Sequence, residues 1–178
     1  MTTDVSKKVR RRKGVLQGLF SLAGAFMLTL FAATSASAHY VYGRDEAWSN
    51  AAGSNCLYVY GEVSHGNRGG YAKSYALASD DWGIVPSCIW VWERPAGYLA
   101  TKYSYYKKTS SGWKLCRSIG WKYNTTKTSR VTATKNYGVA PPCGGGYYAT
   151  RGWAMVYYNG AWVGKSHSVW SGSHYIEP

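Results

Sequence analysis

From Leu57 to the C-terminus the chain is a succession of short runs in which aromatic and β-branched residues alternate with small or polar ones, and this pattern constrains the fold more than any other feature. The runs are Leu57–Tyr60, Tyr71–Leu77, Cys88–Trp92, Tyr98–Tyr106, Arg130–Thr134 and Ala154–Tyr158. Such side chains fit a pleated, half-buried surface, and Gly, Ser, Asn and Pro punctuate the gaps between them. Ser111-Gly112 and Asn159-Gly160 fall between aromatic runs, where a tight hairpin needs residues that tolerate positive φ. Beyond residue 38 no window sustains a 3.6-residue apolar period. Many short strands with frequent turns predict an all-β protein, a β-sandwich or a small barrel.

The first 38 residues read differently. Lys7, Lys8, Arg10, Arg11, Arg12 and Lys13 precede an apolar run from Gly14 to Ala33, and Ala36-Ser37-Ala38 closes it with small residues. That order is the order of an export signal. A bilayer anchor needs roughly 20 apolar residues, but Gln17, Ser21 and Gly24 dilute this run and no basic cluster follows Ala38. All 3 Phe lie inside the segment, whereas all 9 Trp and all 17 Tyr lie after it. The expectation is a signal peptide over 1–38 and a secreted, extracellular mature chain of 140 residues, one domain with no membrane span after cleavage.

Cys56, Cys88, Cys116 and Cys143 all fall in the exported part, and an even count in an oxidising compartment argues for two disulfides. The intervening gaps of 31, 27 and 26 residues are unlike the close pairs that hold zinc, so no metal is expected through these cysteines. A repeat bears on their pairing. Gly97-Tyr98-Leu99-Ala100-Thr101-Lys102 recurs as Gly146-Tyr147-Tyr148-Ala149-Thr150-Arg151, and each copy has Trp 16 residues after its Gly, at Trp113 and Trp162, and another Trp 8 residues later, at Trp121 and Trp170. The spacing implies duplication of a hairpin-containing unit. Since a pair of cysteines precedes each copy, the simplest linkage joins Cys56 to Cys88 and Cys116 to Cys143.

Charge divides the chain in two. From His39 to Glu93 six acids face three bases, whereas from Arg94 to Pro178 twelve bases face the single acid Glu177. The second half favours an anionic partner, with Lys102, Lys107, Lys108, Lys114, Arg117 and Lys122 as the candidate basic surface. An anionic cell-envelope polymer or an acidic protein fits; nucleic acid fits the charge as well, but export disfavours it. Catalysis has little support: His39, His65, His167 and His174 belong to no metalloprotease or hydrolase motif. A Ser-His-acid triad needs an acid near His167 or His174, where the local sequence offers only Glu177. Glu62 with Asp80 or Asp81 is the one conceivable carboxylate pair, and acids on exposed turns explain these equally. No catalytic residue and no cofactor is assigned.

Among the 140 exported residues, 26 are Trp or Tyr, too many for one face of each strand, so part of them must point outward. Outward Tyr and Trp favour interfaces, because they bury a large area at low entropic cost. The segment 39–55 precedes the first cysteine and is untied by either bridge, which makes it an N-terminal arm ahead of a β-core over 56–178. Tyr40, Tyr42 and Trp48 are its candidate partner-binding residues, with Tyr40 and Tyr42 on one side and Trp48 a separate anchor; an arm of this kind can add as a strand to another protein.

The stretch Val63–Leu77, followed by Ile89-Trp90 and then Leu99, Lys102, Ser104, Tyr105 and Tyr106, is similar to the small secreted lactococcin-type bacteriocins. An N-terminal arm before a duplicated, disulfide-bonded β-core also resembles the adaptor subunit of the umbrella toxin particles secreted by Streptomyces. The latter resemblance implies a non-catalytic adaptor that bridges a lectin-bearing subunit and a repeat-bearing toxin chain. The alternatives are a stand-alone cationic bacteriocin, a cell-envelope or glycan-binding protein, and an inhibitor of a secreted hydrolase.

Overall fold

A computed structural model describes residues 40–52, 54–64, 69–78, 88, 90–137 and 141–178. The segment 1–38 expected to be an export signal, and His39, His65, Asp80 and Asp81, lie outside the described residues. Eleven strands follow in chain order: β1 (Tyr40–Ser49), β2 (Asn55–Ser64), β3 (Gly69–Ala78), β4 (Trp90–Val91), β5 (Leu99–Thr109), β6 (Gly112–Tyr123), β7 (Arg130–Lys135), β8 (Gly146–Tyr158), β9 (Ala161–Val163), β10 (Ser168–Trp170) and β11 (His174–Ile176). They form two sheets. The five-stranded sheet runs β1-β2-β3, and β4 and β7 share the far edge of β3; the six-stranded sheet runs β6-β5-β8, and β9, β10 and β11 share the far edge of β8. The fold is an all-β sandwich with two disulfides, Cys56–Cys88 and Cys116–Cys143.

Period-2 alternation builds the core. β2 sends Leu57, Val59 and Val63 inward, β5 sends Leu99, Tyr103 and Tyr105, and β8 sends Tyr148, Ala154 and Val156, all buried. These residues form two apolar clusters. One gathers Val63, Tyr103, Tyr105, Cys116, Ala133, Tyr148 and Ile176; the other gathers Leu57, Val59, Leu99, Val131, Ala154 and Val156.

A waist divides them, and glycine makes it. Gly43 of β1 lies opposite Gly61 of β2, and a Cβ on Gly61 would stand 2.9 Å from the Thr150 carbonyl oxygen and 3.1 Å from that of Val169. A Cβ on Gly43 would collide with the Trp170 carbonyl oxygen. The two sheets therefore touch backbone to backbone at this point, which only residues without a side chain permit.

Hairpin turns follow the chemistry of their residues. Asn159 and Gly160 adopt φ of 46° and 82° between β8 and β9, the double positive φ of a tight two-residue turn. The β5–β6 turn is centred one residue earlier than the sequence suggests. Ser110 and Ser111 form it, Thr109 pairs with Gly112, and Gly112, at φ 118°, opens β6.

The segment ahead of the first cysteine is not a free arm. β1 pairs antiparallel with β2 from Tyr40 opposite Ser64 to Ser49 opposite Cys56, so residues 40–49 are the edge strand of the five-stranded sheet. A disulfide is not needed to hold it, because the free edge of β2 supplies hydrogen-bond partners and Val41, Ala47 and Trp48 pack on the core. Asn124, buried, fixes the other end of the sandwich. Its side-chain oxygen accepts from the Leu99 N–H at 2.9 Å. Its amide nitrogen lies 3.2, 2.7 and 2.9 Å from the carbonyls of Arg94, Pro95 and Thr126.

Candidate functional site

The two copies of the repeat lie side by side. β5 pairs antiparallel with β8, and Tyr103 stands opposite Gly152. The residue step that carries Gly97 to Gly146 also carries Tyr103 to Gly152, so the two hairpins are related by a local two-fold through that pair. The cysteines are not part of this symmetry, because the same step takes Cys56 to Tyr105 and Cys88 to Tyr137. The duplication is confined to the six-stranded sheet.

On the outer face of that sheet the symmetry organises a ladder of rings and cations. Lys102 Nζ lies 4.8 Å from the Trp121 ring centroid and 5.0 Å from that of Trp153. The Arg151 guanidinium carbon lies 5.0 Å from Trp153 and 5.6 Å from Trp170. The repeat step takes Lys102 to Arg151 and Trp121 to Trp170, so the two outer cation–π pairs are equivalent and Trp153 stands between them. Such contacts contribute about 0.5–1 kcal/mol each at exposed sites. Arg151 Nε also donates to Ser168 Oγ at 2.8 Å, which sets the guanidinium in place. The ladder continues through Tyr106, 4.8 Å from Trp170, to Trp113, 6.0 Å from Trp170. At the other end of the face Tyr98, Tyr157, Trp162 and Tyr123 form an edge-to-face chain with centroid steps of 5.0, 5.5 and 5.6 Å.

This face is open and positive. Trp113, Leu115, Tyr123 and Trp170 are exposed, and none of the six strands of the sheet contains an Asp or a Glu. The positive sign of the face comes from Lys102, Lys108 and Arg151, which no carboxylate on these strands offsets.

The basic residues singled out from the sequence divide between two faces. Lys102 belongs to the ladder, and Lys108 shares its face, opposite Trp113. Lys107 turns the other way and donates to the Cys143 carbonyl at 2.8 Å; Lys114 pairs with it across the hairpin. Arg117 bonds its neighbour's carbonyl, at Cys116, at 3.0 Å. Lys122 stands opposite the buried Thr101 on the edge strand, exposed. A continuous six-residue basic patch is thus absent, because adjacent strand positions point to opposite faces. Arg151 and Trp153 carry no mark of their own in the sequence, although the repeat makes Arg151 the equivalent of Lys102.

On the five-stranded sheet Tyr40 and Tyr42 share one side, both exposed, with centroids 6.0 Å apart. Arg44 follows on that side, 4.3 Å from the Tyr58 ring. Trp48 is not a separate exposed anchor. It is half-buried, 4.9 Å from Tyr158.

The fold also supplies an acid to His167 that local sequence does not. Asp45 Oδ2, on β1, lies 2.9 Å from His167 Nε2. The nearby Ser168 hydroxyl accepts from Arg151, and the pair is exposed, the setting of a surface tie worth about 0–1 kcal/mol. Among the described residues no three His, Cys, Asp or Glu side chains gather as a metal site.

Beneath the ladder the inner tyrosines are of another kind. Tyr105 stacks on Tyr148 at 4.7 Å and on Tyr137 at 5.5 Å. Burial pushes the Tyr103 and Tyr105 hydroxyls far above the usual phenol range, and raises Tyr148. Comparison with known protein families, with curated proteins and with solved structures gives no match to this chain.

Proposed function

We propose that this protein is a secreted, non-catalytic binding subunit of an antibacterial assembly, and that it holds other secreted proteins on the outer face of its six-stranded sheet. The observation that carries the reading is the Trp121–Lys102–Trp153–Arg151–Trp170 ladder, a half-buried to exposed surface of Trp, Lys and Arg on strands without a carboxylate. Trp, Tyr and Arg dominate the energetically important positions of protein interfaces. An outward face built of them, beside a core that already contains its own tyrosines, is explained by a partner. The exposed Tyr40–Tyr42 pair on β1 is a second contact surface, which suits a bridging role.

Gel filtration of native culture supernatant tests the assignment. A subunit elutes far above the mass of the monomer, and Trp153→Ala shifts it to the monomer position. The competing assignment, a stand-alone cationic bacteriocin or envelope-binding protein, requires elution as a monomer together with salt-sensitive retention on cell walls.

A further inference from the structure

We propose that Lys102, Trp153 and Arg151 form a two-point receptor for paired carboxylates on an extended acidic segment of a protein partner. The inference rests on the binding-subunit reading and names the chemistry of the partner. Lys102 stands opposite Trp153 and Ser104 opposite Arg151, so the two cations are diagonal neighbours on one face. Diagonal cross-strand positions are roughly 7–8 Å apart. Side chains two residues apart on an extended strand are separated by roughly 6.5–7 Å and point the same way. An acidic strand with carboxylates at alternate positions therefore matches the spacing of the two cations.

Charge and ring occupancy narrow the occupant. A second copy of the chain seated through the same face would set Lys102, Lys108 and Arg151 against their own equivalents, with no acid on any strand of the sheet to offset them. Sugars and bases bind such surfaces by stacking on open ring faces. Here the central ring already has two cations against it, both at 5.0 Å, and Trp170 is engaged by Arg151, Tyr106 and Trp113. What the ladder offers is the N–H donors of Lys102 and Arg151, which suit a planar carboxylate. Arg151 can take it through two parallel hydrogen bonds, and Lys102 as a point charge.

The test uses the mature, disulfide-bonded protein and a synthetic peptide of alternating Thr and Glu, followed by tryptophan fluorescence. The expected result is binding that weakens as salt rises, is lost when Gln replaces Glu in the peptide, and falls about tenfold in each of Lys102→Gln and Arg151→Gln. Lys165→Gln, outside the ladder, leaves it unchanged. Equal binding of the Glu and Gln peptides, or unchanged affinity in the Lys102→Gln/Arg151→Gln double variant, overturns the proposal. So does tighter binding of a teichoic acid or an oligonucleotide than of the Glu peptide. Should the variants lose the high-mass supernatant species while the wild type fails to bind the Glu peptide, the carboxylate receptor is wrong and the binding-subunit reading stands. If the Glu peptide binds as expected but the wild type elutes from native supernatant as a monomer, the carboxylate receptor stands and the subunit reading is wrong; variants that keep the high-mass species intact overturn the receptor as the seat of the partner.

Discussion

Strands β5 and β8 carry two populations of aromatic residues on their two faces. Inward are Tyr103, Tyr105 and Tyr148, all fully buried, with Tyr105 stacked on Tyr148. Outward are Trp153 and Tyr106, half-buried and interleaved with Lys102 and Arg151. The strands are the same and the residue classes are close, so what separates the two faces is solvent. A ring that is covered on all sides stabilises the fold by its area, whereas a ring beside a solvated cation contributes little to folding and keeps its edge available. The inner face thus carries stability, and under the proposed function the outer one carries recognition.

The largest expected effect lies inside. Tyr105→Ala removes a stacked, fully buried ring and should cost about 3–5 kcal/mol, measured by denaturant unfolding. Gly61→Ala comes next. Its Cβ meets backbone oxygens of the opposite sheet, which cannot rotate away, and a loss of about 3 kcal/mol is expected. Gly120→Ala, whose Cβ meets nothing within 4 Å, serves as its control and should be close to neutral. Asn124→Ala removes the side-chain acceptor of the buried Leu99 N–H and should cost about 2–3 kcal/mol.

Alkaline titration separates the faces in another way. Burial raises the folded-state pKa of Tyr103 and Tyr105, so the folded chain holds their protons after the unfolded chain has released them. Their contribution to stability is complete below the unfolded phenol value of about 10 and declines as pH rises above it, by about 1.4 kcal/mol per pH unit for each group. Thermal midpoints from pH 8 to 12 should fall with that slope, and Tyr105→Phe should make the decline shallower.

The alternation that separates the faces is legible in the sequence, because a period of two is written in the order of Leu99, Thr101, Tyr103 and Tyr105. So is the repeat, since Trp113, Trp121, Trp162 and Trp170 keep their spacing. The ladder itself is not, because Lys102 and Arg151 are distant in sequence and meet only through the antiparallel register of β5 with β8. The same holds for Asp45 and His167, joined by a contact between β1 and the β9–β10 connection. The first strand reads as an arm in the sequence for a related reason. Its anchorage comes from the open edge of β2, and pairing between neighbouring segments leaves no mark as plain as a cysteine.

Apart from the neutral Gly120→Ala control, the smallest expected effect on stability belongs to the outer face, and it is also the most direct test of the account. Lys102→Gln/Arg151→Gln removes both cations from the ladder without touching the core, and, counting about 0.5–1 kcal/mol for each solvated cation rather than for each ring it meets, the cost to folding should be about 1–2 kcal/mol in total. The thermal midpoint of this variant and its elution from native culture supernatant should be measured together. The account predicts a midpoint within a few degrees of the wild type and loss of the high-mass species; a variant that unfolds, or that keeps every partner of the wild type, contradicts it.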